Sequence, residues 1–431
     1  MLLIAAPGQG AQAPGFLREW LELPGFSERL GSWSELAGCD LIRCGTTAGA
    51  DEIRDTAVAQ PLLVAAAMAV ATELLGGPGR PPVLADTVLV GPVLAGPVLA
   101  GPGFAGPRLA GPGLADTAVA AGVDATAGHS VGELAAGAIA GVLPPEDAIG
   151  LVRVRAQAMA RAAAAEATGM TAVLGGDEHA VLASIEAHGL TPANVNGAGQ
   201  IVAAGTLDQL AAFAADPPPR ARLRPLSVAG AFHTRHMEPA VAALREAAAR
   251  VTPRTPVLAL LSNRDGSVVR SGPDWLERIV TQVSAPVRWD RCQQTMADLG
   301  VTTLIELPPA GTLTGLARRA LPGVRTLGLK SPGDLEQARA LLAAGHDAHA
   351  GSPTPDWRLL VAPLAGTFRG TPARPGTPVS TGAELGHVEI RGGNHTISPS
   401  FPATIIEWLV EDGDPVSAGQ PLVRLQPDGA E

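Results

Sequence analysis

The sequence predicts an α/β protein with a parallel-sheet core, a smaller inserted subdomain and a β-rich C-terminal domain. Three observations lead to this prediction. Strand and helix signals alternate through about residues 1–345. Between residues 170 and 229 the rhythm changes to β-α-β-β-α-β. Beyond residue 358, ten residues rich in turn formers occur twice, at 376–385 and 413–422.

The core elements are apolar runs bounded by turn residues. Residues 2–6 are typical of a buried strand, and Pro7–Gln12 indicates a tight loop after it. The alanine-rich segment 59–75 is long enough for a buried helix. Residues 118–127 are predicted to lead as a strand into the turn at Ser130. The further predicted elements are helices at 133–140, 145–166 and 275–283, and strands at 257–262 and 302–306.

The inserted subdomain, about residues 167–230, is predicted to be ferredoxin-like from its order of elements. The predicted elements are strand 170–174, helix 179–188, two strands around 196–199, helix 207–215 and strand 223–228.

A tract at about residues 86–115 carries a Gly-Pro pair every five residues. Residues 87–107 are uncharged, but proline at this frequency removes helix hydrogen bonds, and unpaired backbone groups are costly in lipid. We therefore predict a low-complexity surface loop with no catalytic role, not a membrane span.

Composition excludes several classes of partner and compartment. The net charge of −10 argues against nucleic acid and anionic membranes as partners. Cys39, Cys44 and Cys292 fit no metal or redox spacing, and no basic region precedes the first apolar run. We expect a cytoplasmic protein without a signal peptide and without a bound metal.

The segment Gly128–Gly132 has the pattern G-x-S-x-G between two apolar runs. This pattern is typical of a sharp strand-to-helix turn that exposes its serine beside a helix N-terminus. Ser130 is therefore the candidate nucleophile, although the pattern also arises by chance in a chain rich in glycine.

His233 is the best candidate base because it follows a predicted strand, whereas the competitor His236 falls on the helix after it. An ordinary, hydrogen-bonded imidazole is the alternative for either. His129 is adjacent to Ser130 and is expected to support the turn. The backbone N–H groups of Gln9 and Val131 are the candidate oxyanion donors, with an ordinary strand–helix turn as the alternative for the Gln9 loop.

Arg155 lies on the apolar face of its predicted helix, four residues after Leu151 and four before Met159. A buried guanidinium needs a partner, and its geometry suits a carboxylate. The alternative is a solvated arginine on the helix surface.

These segments resemble the malonyl-CoA:acyl carrier protein transacylase family over about residues 1–345. The segments that carry the resemblance are Pro7–Gln12, Thr56–Pro61, Gly128–Glu133, Arg155, Asn194–Asn196 with Gln200, Gly230–His233, and Ser262–Asn263 with Gln282. The turn Pro308–Gly311 departs from the family's usual Gly-Pro-Gly.

The resemblance implies transfer of a malonyl group from malonyl-CoA to the phosphopantetheine thiol of an acyl carrier protein, in fatty acid or polyketide biosynthesis. It implies a serine ester intermediate, no cofactor, and a backbone carbonyl near Gln282 that orients the base. Arg155 would hold the malonyl carboxylate. His129, Asn196 and Gln282 would contribute to substrate binding, and Phe232 would crowd a 2-methyl branch.

After a predicted linker at 346–357, residues 358–428 resemble the biotin carboxyl carrier domain of acetyl-CoA carboxylase. Ala362–Phe368 and Ile405–Val416 carry this resemblance, and the repeat predicts a flattened barrel with two-fold symmetry. A gapless match puts Gly392 where the modified lysine should stand, and the last lysine of the chain is Lys330. The domain is therefore expected to carry no biotin or lipoate. Docking to carboxylase or synthase subunits is favoured over a relic of gene fusion.

Two other functions remain open at this point. A serine hydrolase or thioesterase would need an acidic triad member between Ser130 and the histidine, and no convincing one is found. A non-catalytic scaffold for carboxylase or synthase subunits is the second alternative.

Overall fold

The structure is a computed structural model that describes residues 1–76, 113–228, 230–349, 358–370, 373–390, 392–410 and 412–427. The Gly-Pro tract and the linker predicted above lie largely outside the described residues. The chain divides into two compact units, Met1–Asp347 and Ala348–Glu431.

A six-stranded sheet forms the centre of the first unit. Its strands lie side by side in the order β11 (Arg325–Gly328), β10 (Thr303–Glu306), β1 (Leu2–Ala6), β2 (Ala125–Gly128), β7 (Ala259–Leu261) and β8 (Val268–Val269). The first nine elements are β1 (Leu2–Ala6), α1 (Phe26–Ala37), α2 (Leu41–Thr46), α3 (Ala50–Arg54), α4 (Thr56–Gly76), α5 (Leu114–Ala120), β2 (Ala125–Gly128), α6 (Gly132–Ile139) and α7 (Pro145–Ala164).

The chain then runs through the inserted subdomain and returns to the core. The inserted elements are β3 (Thr168–Gly175), α8 (Glu178–Ala187), β4 (Thr191–Gly197), β5 (Gln200–Thr206), α9 (Leu207–Ala215) and β6 (Ala221–Pro225). The remaining elements are α10 (Glu238–Ala248), β7 (Ala259–Leu261), β8 (Val268–Val269), α11 (Gly272–Gln282), β9 (Val287–Arg288), α12 (Trp289–Asp298), β10 (Thr303–Glu306), α13 (Thr312–Ala320), β11 (Arg325–Gly328) and α14 (Asp334–His349).

The central sheet is mixed, because β8 runs antiparallel to β7 at its edge while the other pairs are parallel. A parallel pair needs a long crossover, and the six residues between these two strands allow only a hairpin. At the other side of the sheet, the buried carboxylate of Glu306 accepts the N–H groups of Gly311, Leu313 and Thr314 at 2.8–2.9 Å. It thereby satisfies N-terminal donors of α13 and fixes the turn after β10.

Helix α4 is apolar on all sides and is long enough to cross a membrane, but 78% of its apolar window is buried inside the protein. A helix with this pattern is suited to a protein core. Its one deeply buried amide side chain, Gln60, points to a polar site within that core.

The inserted subdomain has a sheet with the order β6-β3-β5-β4-β9. Its own four strands pair antiparallel, and β9, which belongs to the core, joins β4 in parallel. The final strand is Ala221–Pro225 instead of 223–228, because the chain turns after Leu226, where the N–H of Val228 donates back to the carbonyl of Leu226 at 2.9 Å.

The second unit contains eight strands: β12 (Arg358–Val361), β13 (Gly366–Gly370), β14 (Pro378–Val379), β15 (Gly386–Ile390), β16 (Gly393–Ile397), β17 (Ala403–Trp408), β18 (Pro415–Val416) and β19 (Pro421–Pro427) among its described residues. They form two antiparallel four-stranded sheets, β12-β19-β17-β14 and β16-β15-β13-β18. The two ladders do not join into one closed sheet, so the expected barrel is seen only as two sheets.

The internal repeat has a direct structural counterpart in this unit. Gly376 and Gly413 have φ angles of 87° and 90°, and Gly382 and Gly419 have 77° and 80°. These angles favour glycine, which explains why the glycines recur. The two halves of the repeat are β12–β15 and β16–β19. If each strand is replaced by its counterpart in the other half, the strand order of one sheet becomes that of the other.

Candidate active site

The turn from β2 to α6 places Ser130 in a strained conformation with a φ of 54°. A Cβ on Gly128 would overlap the backbone of Gly132, and a Cβ on Gly132 would overlap the carbonyl of Ala6. Both glycines of the G-x-S-x-G pattern are therefore required by close backbone contacts.

Asn263, which follows β7, holds both sides of this turn. Its Oδ1 accepts the N–H of Ser130 at 2.7 Å, and its Nδ2 donates to the carbonyl of Gly128 at 2.7 Å. The conformation of the turn is thus fixed by one buried amide from the neighbouring strand.

Ser130 and His233 form a hydrogen-bonded pair, with 2.7 Å between Oγ and Nε2. On the other side of the ring, Nδ1 lies 2.9 Å from the main-chain carbonyl of Gln282. A carbonyl can only accept, so Nδ1 carries the proton and Nε2 is free to accept the serine proton. Burial, together with the nearby charge of Arg155, lowers the pKa of His233 to about 3. The imidazole is therefore a neutral, correctly oriented base.

His236 does not take part in this pair, because its Nδ1 lies 2.8 Å from Oε2 of Glu166. Of the two candidate histidines, only His233 reaches the serine.

The Gln9 loop lies beside the serine turn. A Cβ on Gly8 would come within 2.9 Å of both Nδ1 and the carbonyl oxygen of His129. The side-chain amide of Gln9 donates to the carbonyl of Arg54 at 3.4 Å. Val131 stands at the N-cap of α6, where helix N–H groups are not used by the helix itself. These positions leave the backbone N–H groups of Gln9 and Val131 as candidate donors to an oxyanion.

Arg155 is 1% exposed and ends beside the nucleophile. Its Nη1 donates to Oε1 of Gln60 at 2.6 Å, and its Nη2 donates to Oε1 of Gln282 at 2.8 Å and to Oγ of Ser130 at 3.3 Å. All three acceptors are neutral. Burial lowers the pKa of the guanidinium to about 10, and the charge of Glu133 opposes that shift. The site therefore holds a buried cation beside Ser130 that no carboxylate of the described residues contacts directly.

The other predicted binding residues, His129, Asn196 and Phe232, are not among the hydrogen-bond partners of Arg155. Nε2 of His129 lies 2.9 Å from Oδ1 of Asn196, and its ring packs on Trp289 with 5.6 Å between the ring centres. His129 and Asn196 are thus brought to each other and join the inserted subdomain to the turn. Phe232 is buried immediately before the base.

Three polar residues of this site were part of recognised motifs but received no role from the sequence: Gln60, Glu133 and Asn263. The available signal was a polar residue in an otherwise apolar element, since Gln60 lies in α4 and Glu133 in α6. Among the described residues, no cluster of three or more histidine, cysteine or acidic side chains is placed to hold a metal ion.

A family model described as "Acyl transferase domain" matches residues 112–342, which is more than half of the chain. This match indicates the class of acyltransferases that the serine–histidine pair also suggests.

Comparison with individual proteins identifies one family within the acyltransferases. The malonyl CoA-acyl carrier protein transacylase of Mycobacterium tuberculosis is 46% identical over 337 residues, covering 78% of this chain and 99% of the relative. The enzyme of the same name from Escherichia coli is 27% identical, covering 78% and 97%. The crystal structure of MCAT from M. tuberculosis superimposes with a TM-score of 0.67 at 45% identity, covering 78% and 99%. The chain belongs to the malonyl CoA-acyl carrier protein transacylase family.

The depressed pKa of His233 predicts an unusual pH dependence for acylation of the serine. Only the neutral imidazole can accept the proton, and it stays neutral until the pH falls toward 3. The second-order rate of ester formation from acetyl-CoA, whose acyl group has no carboxylate, should therefore be flat from pH 8 down to pH 5 at low substrate concentration. Quenched-flow mass spectrometry measures this rate. A fall to half its value near the ordinary histidine pKa of about 6.5 would contradict the burial argument.

Proposed function

We propose that this protein transfers a malonyl group from malonyl-CoA to the phosphopantetheine thiol of an acyl carrier protein, through an ester on Ser130. The observation that carries the proposal is the buried guanidinium of Arg155, 3.3 Å from Oγ of Ser130 with only neutral hydrogen-bond acceptors. An acyl group that ends in a carboxylate would supply the missing negative charge. Fatty acid or polyketide biosynthesis is the context in which such a transfer belongs.

In the first half-reaction, Nε2 of His233 removes the proton from Ser130 while Oγ attacks the thioester carbon of malonyl-CoA. The carbonyl oxygen becomes an oxyanion, which the N–H groups of Gln9 and Val131 stabilise, each by about 3–4 kcal/mol. The carbon–sulfur bond then breaks, and the leaving thiolate takes the proton back from His233. The products are free CoA and a malonyl ester on Ser130.

The second half-reaction repeats these steps with a different thiol. The carrier protein's phosphopantetheine thiol gives its proton to His233 and attacks the ester carbon. Ser130 leaves and recovers the proton, so the enzyme returns to its initial state. Throughout, the carbonyl of Gln282 holds the imidazole in the tautomer that both steps need.

The remaining side chains limit which acyl group fits. We propose that Phe232, buried next to the base, excludes acyl groups with a branch at the second carbon. His129 and Asn196, joined by their hydrogen bond, would form part of the wall along which the substrate lies.

The geometry disfavours the two alternative functions, a serine hydrolase or thioesterase and a non-catalytic scaffold. In a serine hydrolase triad a carboxylate orients the base, and here Nδ1 of His233 faces a main-chain carbonyl. A scaffold without activity would have no need of a strained serine, an oriented base and a buried cation in one place.

We further propose that the second unit is a biotinyl/lipoyl-like domain that carries no cofactor. Gly392, at the position of the modified lysine, has a φ of 113° between β15 and β16 and offers no amine. The intact core of this unit favours a docking role, with acetyl-CoA carboxylase or synthase subunits as partners. Such partners, and malonyl-CoA itself, would place the protein in the cytoplasm.

Ester formation on Ser130 is the direct test of the proposed reaction. After mixing with malonyl-CoA, the intact protein should gain one malonyl mass, and peptide mapping should place it on Ser130. Ser130→Ala should remain unmodified while keeping its melting temperature. A malonyl group on another residue, or transfer that survives Ser130→Ala, would overturn the proposal.

Substitution of Arg155 tests acyl selection. Arg155→Ala should slow malonyl transfer strongly and spare acetyl transfer, because removing one partner of a buried ion pair leaves the other charge unpaired at a cost of about 3–5 kcal/mol. Both rates are measured with the same carrier protein. Equal losses for the two acyl groups would indicate a general disturbance of the site.

Removal of the second unit tests the docking role. A shortened chain that ends at residue 350 should transfer malonyl groups at the rate of the full chain but should no longer bind carboxylase or synthase subunits in a pull-down with purified proteins. If the short and full chains behave alike in both assays, the docking role is wrong.

A further inference from the structure

Glu133 is a buried carboxylate that the proposed reaction steps do not use. It lies in the first turn of α6, three residues after the nucleophile, and is 1% exposed. Its Oε1 accepts the backbone N–H of Asn263 at 2.9 Å, and its Oε2 accepts a hydrogen bond from Nε2 of Gln282. Within the described part of the chain, no arginine or lysine forms an ion pair with it. Burying a carboxylate this way is costly, so its location calls for a function.

The Glu133 contact determines which way the Gln282 amide points. An amide has a donor end and an acceptor end. Here the donor Nε2 faces Glu133 and the carbonyl of Ser130, at 3.1 Å from the latter, while Oε1 accepts Nη2 of Arg155. Reversal would set NH₂ against the guanidinium and a carbonyl against the carboxylate, and both contacts would be repulsive. An ionised carboxylate, which can only accept, excludes that reversal.

Through this amide, Glu133 acts on the position of Arg155. Nη2 of Arg155 is shared between Oε1 of Gln282 and Oγ of Ser130, so the amide fixes where the cation stands relative to the acyl group. An acetyl group has no carboxylate and makes no use of that cation.

We propose that Glu133 is a positioning residue that sets the preference for acyl groups ending in a carboxylate, by fixing the Gln282 amide and with it Arg155. The inference rests on the proposed function and deepens it. It concerns selection between acyl groups, since the main-chain carbonyl that orients His233 does not depend on the amide orientation.

The ionisation of Glu133 gives this role a pH dependence. Burial raises its pKa to about 8, against the opposing hydrogen bonds from Asn263 and Gln282 and the charges of Arg155 on α7 and Arg278 on α11. The thiol of Cys292 on α12 lies within the field of Glu133, and burial raises the pKa of this thiol well above its ordinary value. Proton loss makes both carboxylate oxygens acceptors, so the malonyl-to-acetyl ratio of acylation rates should rise from pH 7 to pH 9.

The test compares Ser130 acylation by malonyl-CoA and acetyl-CoA at pH 9 in Glu133→Gln, which keeps the shape and removes the charge. Losing a hydrogen bond to a charged group should slow malonyl acylation by about tenfold to a hundredfold, with a much smaller change for acetyl. The pH dependence of the ratio should also disappear. Glu306→Gln is the matched control, because it removes a buried helix-capping carboxylate away from Arg155 and should leave the ratio unchanged.

A double-mutant cycle tests whether Glu133 acts on Arg155 through the side-chain amide of Gln282. Gln282→Met removes the amide but keeps the main-chain carbonyl, and Glu133→Gln should add little further loss in that background. Additive losses, equal losses for both acyl groups, or a higher malonyl preference in Glu133→Gln would each overturn the proposal. The last result would mean that the carboxylate merely repels the substrate.

Two outcomes separate this inference from the proposed function. If the unmodified protein forms no ester on Ser130, the proposed function itself fails. If it forms the ester but its malonyl-to-acetyl ratio is constant from pH 7 to pH 9, only the role of Glu133 is wrong. This second measurement needs no variant and stands even if Glu133→Gln does not fold.

Discussion

The interaction on which the site depends is the set of neutral hydrogen bonds around the buried Arg155. Removing a guanidinium from water is costly, and the protein offsets this with amides from α4 and α11 and the serine hydroxyl rather than with a carboxylate. A carboxylate of the protein beside Arg155 would occupy the place that we propose for the carboxylate of the acyl group. The arrangement leaves the cation able to bind one more anion, beside the atom that attacks.

A second constraint is the backbone strain at the two reacting residues. Ser130 and His233 have φ angles of 54° and 62°, and each such conformation costs on the order of 1–3 kcal/mol. Asn263 holds the first, and the hydrogen bond from the N–H of His233 to the carbonyl of Val283 holds the second. The helix that supplies Gln282 thus also holds His233 at its C-terminal end, so the proposed acyl selection and the proposed proton transfer depend on one element.

Much of this site could be predicted from local sequence because local sterics determine it. The glycines around Ser130 are required by backbone contacts in the turn itself, and His233 was preferred over His236 from its place after a strand. The partners of these residues could not be predicted in the same way. Gln60 lies 95 residues before Arg155 in the sequence, and Asn263 lies 133 after Ser130, so only the folded sheet brings them together.

In the fold, too, features set by local sequence could be predicted, and features set by contacts between distant residues could not. Apolar runs predicted the strands of the core and the elements of the inserted subdomain, because burial determines both. The antiparallel direction of β8 depends on the length of one loop, and the register of the second unit depends on pairing between distant strands. The repeat glycines predicted the turns of that unit, since their positive φ is a local property, but not how its two sheets meet.

Binding of free malonate tests the central claim most directly, because it asks only whether the buried cation accepts an external carboxylate. A ligand that binds the folded state raises the melting temperature according to its concentration and affinity. Malonate should raise the melting temperature of the protein, whereas acetate and sulfate at matched ionic strength should not, and the effect should be absent in Arg155→Ala. Equal stabilisation by all three anions, or a malonate effect that persists without Arg155, would contradict the account.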